Sequence, residues 1–268
     1  MSSRTFITGL DKTHNPEFST CEFYQAYANL DDLLTITESL LSGMAEHMRQ
    51  LDQEGVFQPT SADFSMPFRR IDFTVDIEDR INRKLPDLSS PDAESQVRQI
   101  FNDLFLSLPE NPTLPRLLDE LCAIYIEPEC VNPTFIINPP ECLSPLSKSF
   151  VHPVSNQRVA ARGELFIEGN EVVNTYEEEN SPFAQKRKFE QQAQLSTRPK
   201  KSDPKIDEGF LAALEWGLPP TGGWGCGIDR LCMLFTGVKK IGDVLPFGSI
   251  RAVSTDRREK AMSRKYDI

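Results

Sequence analysis

Residues 217–231 read GLPPTGGWGCGIDRL, with Gly222, Gly223, Gly225 and Gly227 crowded ahead of Asp229 and Arg230. Glycine permits backbone angles that side chains forbid and close approach of another group to the chain. The dinucleotide pattern G-x-G-x-x-G fails here, because Ile228 stands where its third glycine would fall after Gly223 and Gly225, and no G-K-[ST] follows to make a P-loop. Gly223, Gly225 and Gly227 alternate, as on one face of a strand, and a strand face without side chains can lie flat against a planar ring. Asp229-Arg230 then opens a helix, LCMLFTG, that Gly237 closes. Arg230 there suits a phosphate, which its rigid guanidinium fork would grip. The same residues also suit a glycine-rich strand that lets a neighbouring backbone approach closely, with Arg230 in a structural ion pair. From this stretch alone both readings stay open.

The rest of the chain narrows the class. Its 268 residues make one large domain or two small ones, with 39% hydrophobic and 26% charged residues, ordinary for a globular protein. The net charge of -11 excludes a generic nucleic-acid binder, so any RNA contact must use a local patch. The six cysteines (Cys21, Cys122, Cys130, Cys142, Cys226 and Cys232) form no C-x-x-C pair, and the only histidines are His14, His47 and His152, which argues against zinc. Scattered cysteines of this kind fit a reducing compartment. No apolar run approaches membrane-spanning length, and MSSRTFIT has no hydrophobic leader region.

Along the chain, THNPEF is turn-like at Asn15-Pro16, and FSTCEFYQAY alternates as a strand, with Phe18, Thr20, Glu22 and Tyr24 on one face. Asp31 and Asp32 open a helix whose expected apolar stripe is Leu33, Ile36, Leu40, Met44, Met48 and Leu51. Pro91 after Ser90 marks a second helix start, with Val97, Ile100, Phe101, Leu104 and Leu108 on one face, and PRLLDELCAIYI is a third amphipathic helix. Residues 72–128 thus read as a helical insertion between two sheet-forming halves. TFIIN, residues 134–138, is a buried strand ending at Pro139-Pro140. GELFIEGNEVVNTYEEEN, residues 163–180, is a hairpin turning at Gly169-Asn170. Residues 186–205 are rich in Lys, Arg, Gln and Ser: a solvated helix and loop, or an RNA-contacting patch. Residues 257–268 form a polar tail.

Three polar faces stand out. Asn174, Tyr176 and Glu178 share one face of the second hairpin strand, which is no core pattern. Glu164 and Glu171 sit on either side of the turn; two carboxylates suit Mg²⁺, which takes oxygen ligands and leaves room for phosphates. An exposed acidic hairpin face would read the same way. On the first strand, Phe18 suits stacking on a base, and Glu22 with Tyr24 and Glu178 suits an ammonium group, which wants paired carboxylates once desolvated.

Together these segments resemble the class II lysyl-tRNA synthetases, most closely the mitochondrial branch. THNPEFSTCEFYQAY resembles the second half of motif 2, NPTFIINPPECLSPLSKSF the following sheet segment, GELFIEGNEVVNTYEEEN the metal and amino-acid strands, and ALEWGLPPTGGWGCGIDRL motif 3. The resemblance spans nearly all of residues 9–255. It implies an α+β fold, an antiparallel six-stranded sheet flanked by helices, with ATP bent upon it. It implies that Phe18 stacks on adenine opposite Gly223, Gly225 and Gly227, that His14 and Asn15 touch the nucleotide, and that Arg230 neutralises the γ-phosphate. Glu164 and Glu171 would hold Mg²⁺; Asn174 would meet the lysine carboxylate; Glu22, Tyr24, Tyr176 and Glu178 would line the pocket for its ammonium. The implied reaction is ATP-dependent activation of lysine to lysyl-adenylate and transfer to the tRNA(Lys) acceptor end, in mitochondria or, with no transit peptide visible, the cytoplasm.

The resemblance also marks departures. The family's anticodon-reading OB domain, its motif 1 and the first strand of motif 2 with its F-R-x-E are not found; SSRTFIT joins GLDKTHNPEF directly. The expectation is therefore an incomplete catalytic core over residues 1–256 with impaired adenylation, for which the family's usual homodimer is in doubt. The alternatives are a non-catalytic paralogue that binds nucleotide or a partner and, ranking behind it, a protein lysylase.

Overall fold

The computed structural model describes residues 15, 17–51, 55, 60–195 and 206–246. The strands are β1 (Thr20–Ala26), β2 (Arg69–Asp72), β3 (Thr134–Ile137), β4 (Ser149–Val151), β5 (Arg158–Ala160), β6 (Arg162–Ile167), β7 (Asn170–Glu177) and β8 (Thr221–Gly227). The helices are α1 (Leu30–Leu51), α2 (Phe73–Arg80), α3 (Ala93–Asp103), α4 (Leu114–Tyr125), α5 (Pro182–Leu195), α6 (Glu208–Glu215) and α7 (Ile228–Thr236). Six strands form one sheet in the order β1-β8-β7-β6-β3-β2, and β4-β5 form a separate hairpin. The expected sheet was antiparallel throughout. It is mixed: β2 pairs in parallel with β3, because three helices intervene between them and return the chain in the same direction.

The chain divides into two compact units: residues 22–43 with 62–225, and residues 1–21, 44–61 and 226–268. In the larger unit, α1 packs on one face of the sheet. Asn29 and Asp32 exchange backbone-to-side-chain hydrogen bonds at 2.9 Å each, a reciprocal cap that starts α1 at Leu30. Leu33 is buried as expected, but its buried companions are Leu34, Thr37 and Leu41, while the expected Leu40 is 40% exposed. Glycines on the sheet make room for Leu33 and Leu34. A Cβ on Gly222 would lie 2.8 Å from Leu33, and one on Gly163 2.9 Å from Leu34, so the helix settles into the space the missing side chains leave. Thr37 is buried without penalty: its hydroxyl donates to Leu33 O (2.7 Å) and accepts from the Trp224 indole N–H (2.9 Å).

The insertion covers part of the opposite face. Phe73, Ile77, Val97, Ile100, Phe101, Leu117, Leu118 and Leu121 form one core with Ile71, Ile136 and Phe166 of the sheet. Asp72 caps α2 by accepting from Val75 N–H at 3.2 Å. The second insertion helix begins at Ala93 rather than at Pro91, with Asp92 as its cap residue, and Leu108 lies beyond its end, 42% exposed. The β6–β7 hairpin turns one residue earlier than the sequence suggested, at Glu168-Gly169, both with positive φ (50° and 71°). Asn170 is instead the first residue of β7, and its side-chain amide donates to Glu168 O at 2.9 Å.

In the smaller unit, α7 buries Leu231, Leu234 and Phe235 and ends at Gly237 in the left-handed conformation, φ 75°. Thr60 N–H donates to Leu234 O at 3.0 Å. The proposed tail, residues 257–268, lies outside the described residues.

Candidate functional site

The polar half of the larger unit's sheet gathers around one carboxylate. Glu178 follows β7 directly and is anchored by its N–H to Thr221 O at 2.8 Å. Its Oε1 is buried and has no hydrogen-bond partner among the described residues. Burial, with the Glu22 carboxylate adding repulsion, lifts its pKa to about 7. Bare backbone makes room for it: a Cβ on Gly223 would lie 2.0 Å from that Oε1 and 3.4 Å from the Tyr24 ring. Tyr24 shares a hydrogen bond with Glu22, and its phenol is raised above the usual range by burial first and then by Glu178 and Glu22. Tyr176, in the next position on the same face, is raised by burial and by Glu178. Burial heads the causes of all three shifts, and the Glu22 and Glu178 carboxylates add to it. A desolvated ammonium would relieve all of them.

Beside this pocket lies a guanidinium clamp. Arg162, only 7% exposed, donates from Nε to Asn174 Oδ1 (2.9 Å), from Nη1 to Ser144 Oγ (2.9 Å) and Leu143 O (3.2 Å), and from Nη2 to Glu164 Oε1 (2.5 Å). The clamp fixes the Asn174 amide with its oxygen inward. Its NH₂ is then turned outward as a donor, the orientation that meets a carboxylate. Glu164 faces Asn174 directly across the β6–β7 ladder.

A bulge completes this face. The pairing shifts between Leu165 and Phe166, so that Leu165 faces Val173 but Phe166 faces Glu171. In an unbroken strand Glu171 and Asn174, three residues apart, would point to opposite faces. The extra residue, Val172, brings Glu171 onto the face that carries Glu164 and Asn174. Among the described residues no group of three His, Cys, Asp or Glu side chains is arranged to hold a metal ion.

The smaller unit holds Asn15, Phe18, Gly227 and Arg230. Arg230 lies half-buried in the first turn of α7, its stem over bare Gly227, with Cβ and Cδ 3.8 Å from where a Gly227 Cβ would stand. The turn is fastened to the residue that leads into β1: buried Asp229 accepts from Ser19 N–H at 2.6 Å, and Ile228 N–H donates to Ser19 O at 3.0 Å. Phe18, one residue earlier, is 41% exposed, with its ring available for stacking. Asn15 is buried and donates to Glu17 O at 2.7 Å, while its Oδ1 has no partner among the described residues. His14 lies outside the described residues. Gly225 belongs to the larger unit, 3.7 Å from Glu22 Cγ by its missing Cβ.

Comparison with known proteins decides the family. The family described as tRNA synthetases class II (D, K and N) matches residues 8–251. The chain belongs to that family. Its relatives within it include the mitochondrial lysine–tRNA ligase of Schizosaccharomyces pombe, 41% identical over 91% of this chain and 46% of the relative. The probable cytoplasmic lysine–tRNA ligase of Encephalitozoon cuniculi is 40% identical over 91% of the chain and 49% of the relative. The lysine–tRNA ligase of Deinococcus radiodurans is 37% identical over 94% and 46%. The chain spans about half the length of the relatives it matches. Its mixed sheet flanked by helices is consistent with a class II synthetase core.

Sequence reasoning missed Arg162 and the Val172 bulge. Arg162 stands two residues before Glu164, so strand alternation alone would have put the two on one face. The bulge carried no signal, because valine is ordinary in a strand.

Proposed function

We propose that this class II synthetase chain binds lysine and ATP and forms lysyl-adenylate, for transfer to the tRNA(Lys) acceptor end. One observation carries the reading: a buried carboxylate oxygen at Glu178 without a partner among the described residues, in a wall of Glu22, Tyr24 and Tyr176. An aspartate side chain would be repelled there, and an asparagine side chain would leave the charge uncompensated; a lysine ammonium supplies both charge and donors. Asn174, clamped by Arg162, donates to the lysine carboxylate. Arg230 meets nucleotide phosphate, and Phe18 stacks on the base.

Glu164 and Glu171 fit Mg²⁺ that is shared with phosphate oxygens, since two carboxylates on one face are the set that ion uses beside a nucleotide. Bound there, the ion would supply charge neutralisation. Arg162 holds one Glu164 oxygen and keeps the other turned away from it. The chemical step is attack of the lysine carboxylate on the α-phosphate, and the chain's contribution is positioning and charge compensation.

A second reading rests on the sequence running from SSRTFIT straight into GLDKTHNPEF without F-R-x-E. The arginine in that motif would contact the α-phosphate. Loss of one such donor commonly costs about 10²- to 10³-fold in rate. The chain then binds ligand but turns over slowly or not at all. Relatives named as mitochondrial and as cytoplasmic both match; we assign the mitochondrial compartment, testable by imaging a tagged chain.

The deciding experiment is lysine-dependent ATP–pyrophosphate exchange with Arg230→Ala as control. Exchange that vanishes in the control supports the enzyme. Lysine binding without exchange supports the binding paralogue. A folded chain with neither overturns both.

A further inference from the structure

Two cysteines face each other across β1 and β8, and we propose that they form a redox-reversible disulfide, Cys21–Cys226, that an oxidant of the peroxide class closes. The proposal needs no assumption about substrate.

The register carries it. Ile228 N–H donates to Ser19 O at 3.0 Å, so Ser19 and Ile228 are direct partners in an antiparallel ladder. Two residues further along each strand, the partners are Cys21 and Cys226. The same register recurs in the larger unit, where Tyr27 N–H donates to Pro220 O at 2.6 Å and the Phe23 and Trp224 rings stack with centroids 5.0 Å apart. Direct partners share a face, and in hydrogen-bonded positions their Cα atoms stand about 5.5 Å apart. That value falls inside the range a disulfide spans, roughly 4.4–6.8 Å. Both thiols are free in the structure.

The two sulfurs differ as a reacting pair should. Cys21 is exposed and meets a dissolved oxidant; Cys226 is 2% exposed and does not. Burial, with Cys21 adding to it, pushes the Cys226 thiol up to about 12, so it stays protonated and inert towards oxidant on its own. Cys21 therefore reacts first. Its thiolate attacks one peroxide oxygen, the O–O bond breaks, and hydroxide leaves and takes a proton as water. The Cys21 sulfur, oxidised by two electrons, is now a sulfenic acid. The Cys226 sulfur attacks it, passing its own proton to the departing hydroxyl; the S–O bond breaks, the S–S bond forms, and a second water leaves. Two thiols and one peroxide give one disulfide and two waters. A thiol reductant reverses the step.

The test is peptide mapping by mass spectrometry after treating the folded chain with hydrogen peroxide, in a Cys232→Ser background that removes the other exposed thiol. The expected result is a Cys21–Cys226 linked peptide lacking two hydrogens, abolished by dithiothreitol. The thermal midpoint should rise by about 5–10 °C on oxidation, since a long loop is closed. In Cys226→Ser, Cys21 should stop at a sulfenic acid that dimedone traps; in Cys21→Ser, Cys226 should stay reduced. Circular dichroism verifies folding in each case. Oxidation of Cys21 to sulfinic acid without the linked peptide, or no oxidation of Cys21 in the folded chain, overturns the proposal.

Discussion

Glu178 occupies the space that a side chain on residue 223 would fill: a Cβ there would stand 2.0 Å from the carboxylate oxygen. The glycine of β8 and the acid beside β7 are thus one device. Gly223→Ala must push Glu178 out of its burial, and lysine affinity should fall at least about tenfold by calorimetry. Gly43→Ala, in α1 with nothing within 4 Å of the added atom, is the control. It should leave affinity alone and raise stability by up to about 1 kcal/mol. Equal affinity in the two variants would refute the coupling.

The raised pKa of Glu178 sets a pH dependence. Its pKa is about 7 in the fold and about 4.3 in an unfolded chain. The folded form therefore holds the proton more tightly. That contribution is complete below about pH 4, shrinks as pH rises, and is lost above about 7. Glu178→Gln cannot ionise, so its unfolding midpoint should exceed that of the parent above pH 7 and approach it below pH 4. A difference independent of pH would remove Glu178 as the buried titrating group.

Arg162 offers a cleaner dissection of the pocket. Arg162→Lys keeps the charge but cannot hold Asn174, Ser144 and Glu164 at once. Lysine should bind about tenfold more weakly, because its carboxylate loses an oriented donor. Cadaverine, which carries no carboxylate, should bind as before. Equal losses for both ligands would mean that the clamp is structural only.

Lys188 in α5 offers a test of stability. Its Nζ lies 2.8 Å from the Glu179 carboxylate, with the two side chains 1% and 9% exposed, and also donates to Ser147 O. Lys188→Met should cost about 3–5 kcal/mol in denaturant unfolding, because it strands a buried charge. Adding Glu179→Gln should restore much of that loss.

Much of this was legible in the residues, for physical reasons. The alternation of Glu22 with Tyr24, and of Asn174 with Tyr176 and Glu178, survives in the structure because period-two faces follow from strand geometry. Gly237 reads as a helix stop and is one. What failed depended on partners distant in sequence. The stripe of α1 was right at Leu33 but missed Leu34, which sinks because Gly163, on a strand far along the chain, leaves it room. Lys188 reads as one more charge in a basic run, yet Glu179 and Ser147 bury it. The parallel β2–β3 pairing follows from where the insertion returns, which periodicity does not encode.

The most direct measurement is calorimetric titration of the folded chain with lysine and with norleucine, which differs by lacking the ammonium, at pH 6.5 in buffers of differing ionisation heat. The account predicts lysine binding at least about 100-fold tighter than norleucine, with protons released as Glu178 ionises against the ammonium. Norleucine binding as tightly as lysine, or lysine binding without proton release, would contradict it.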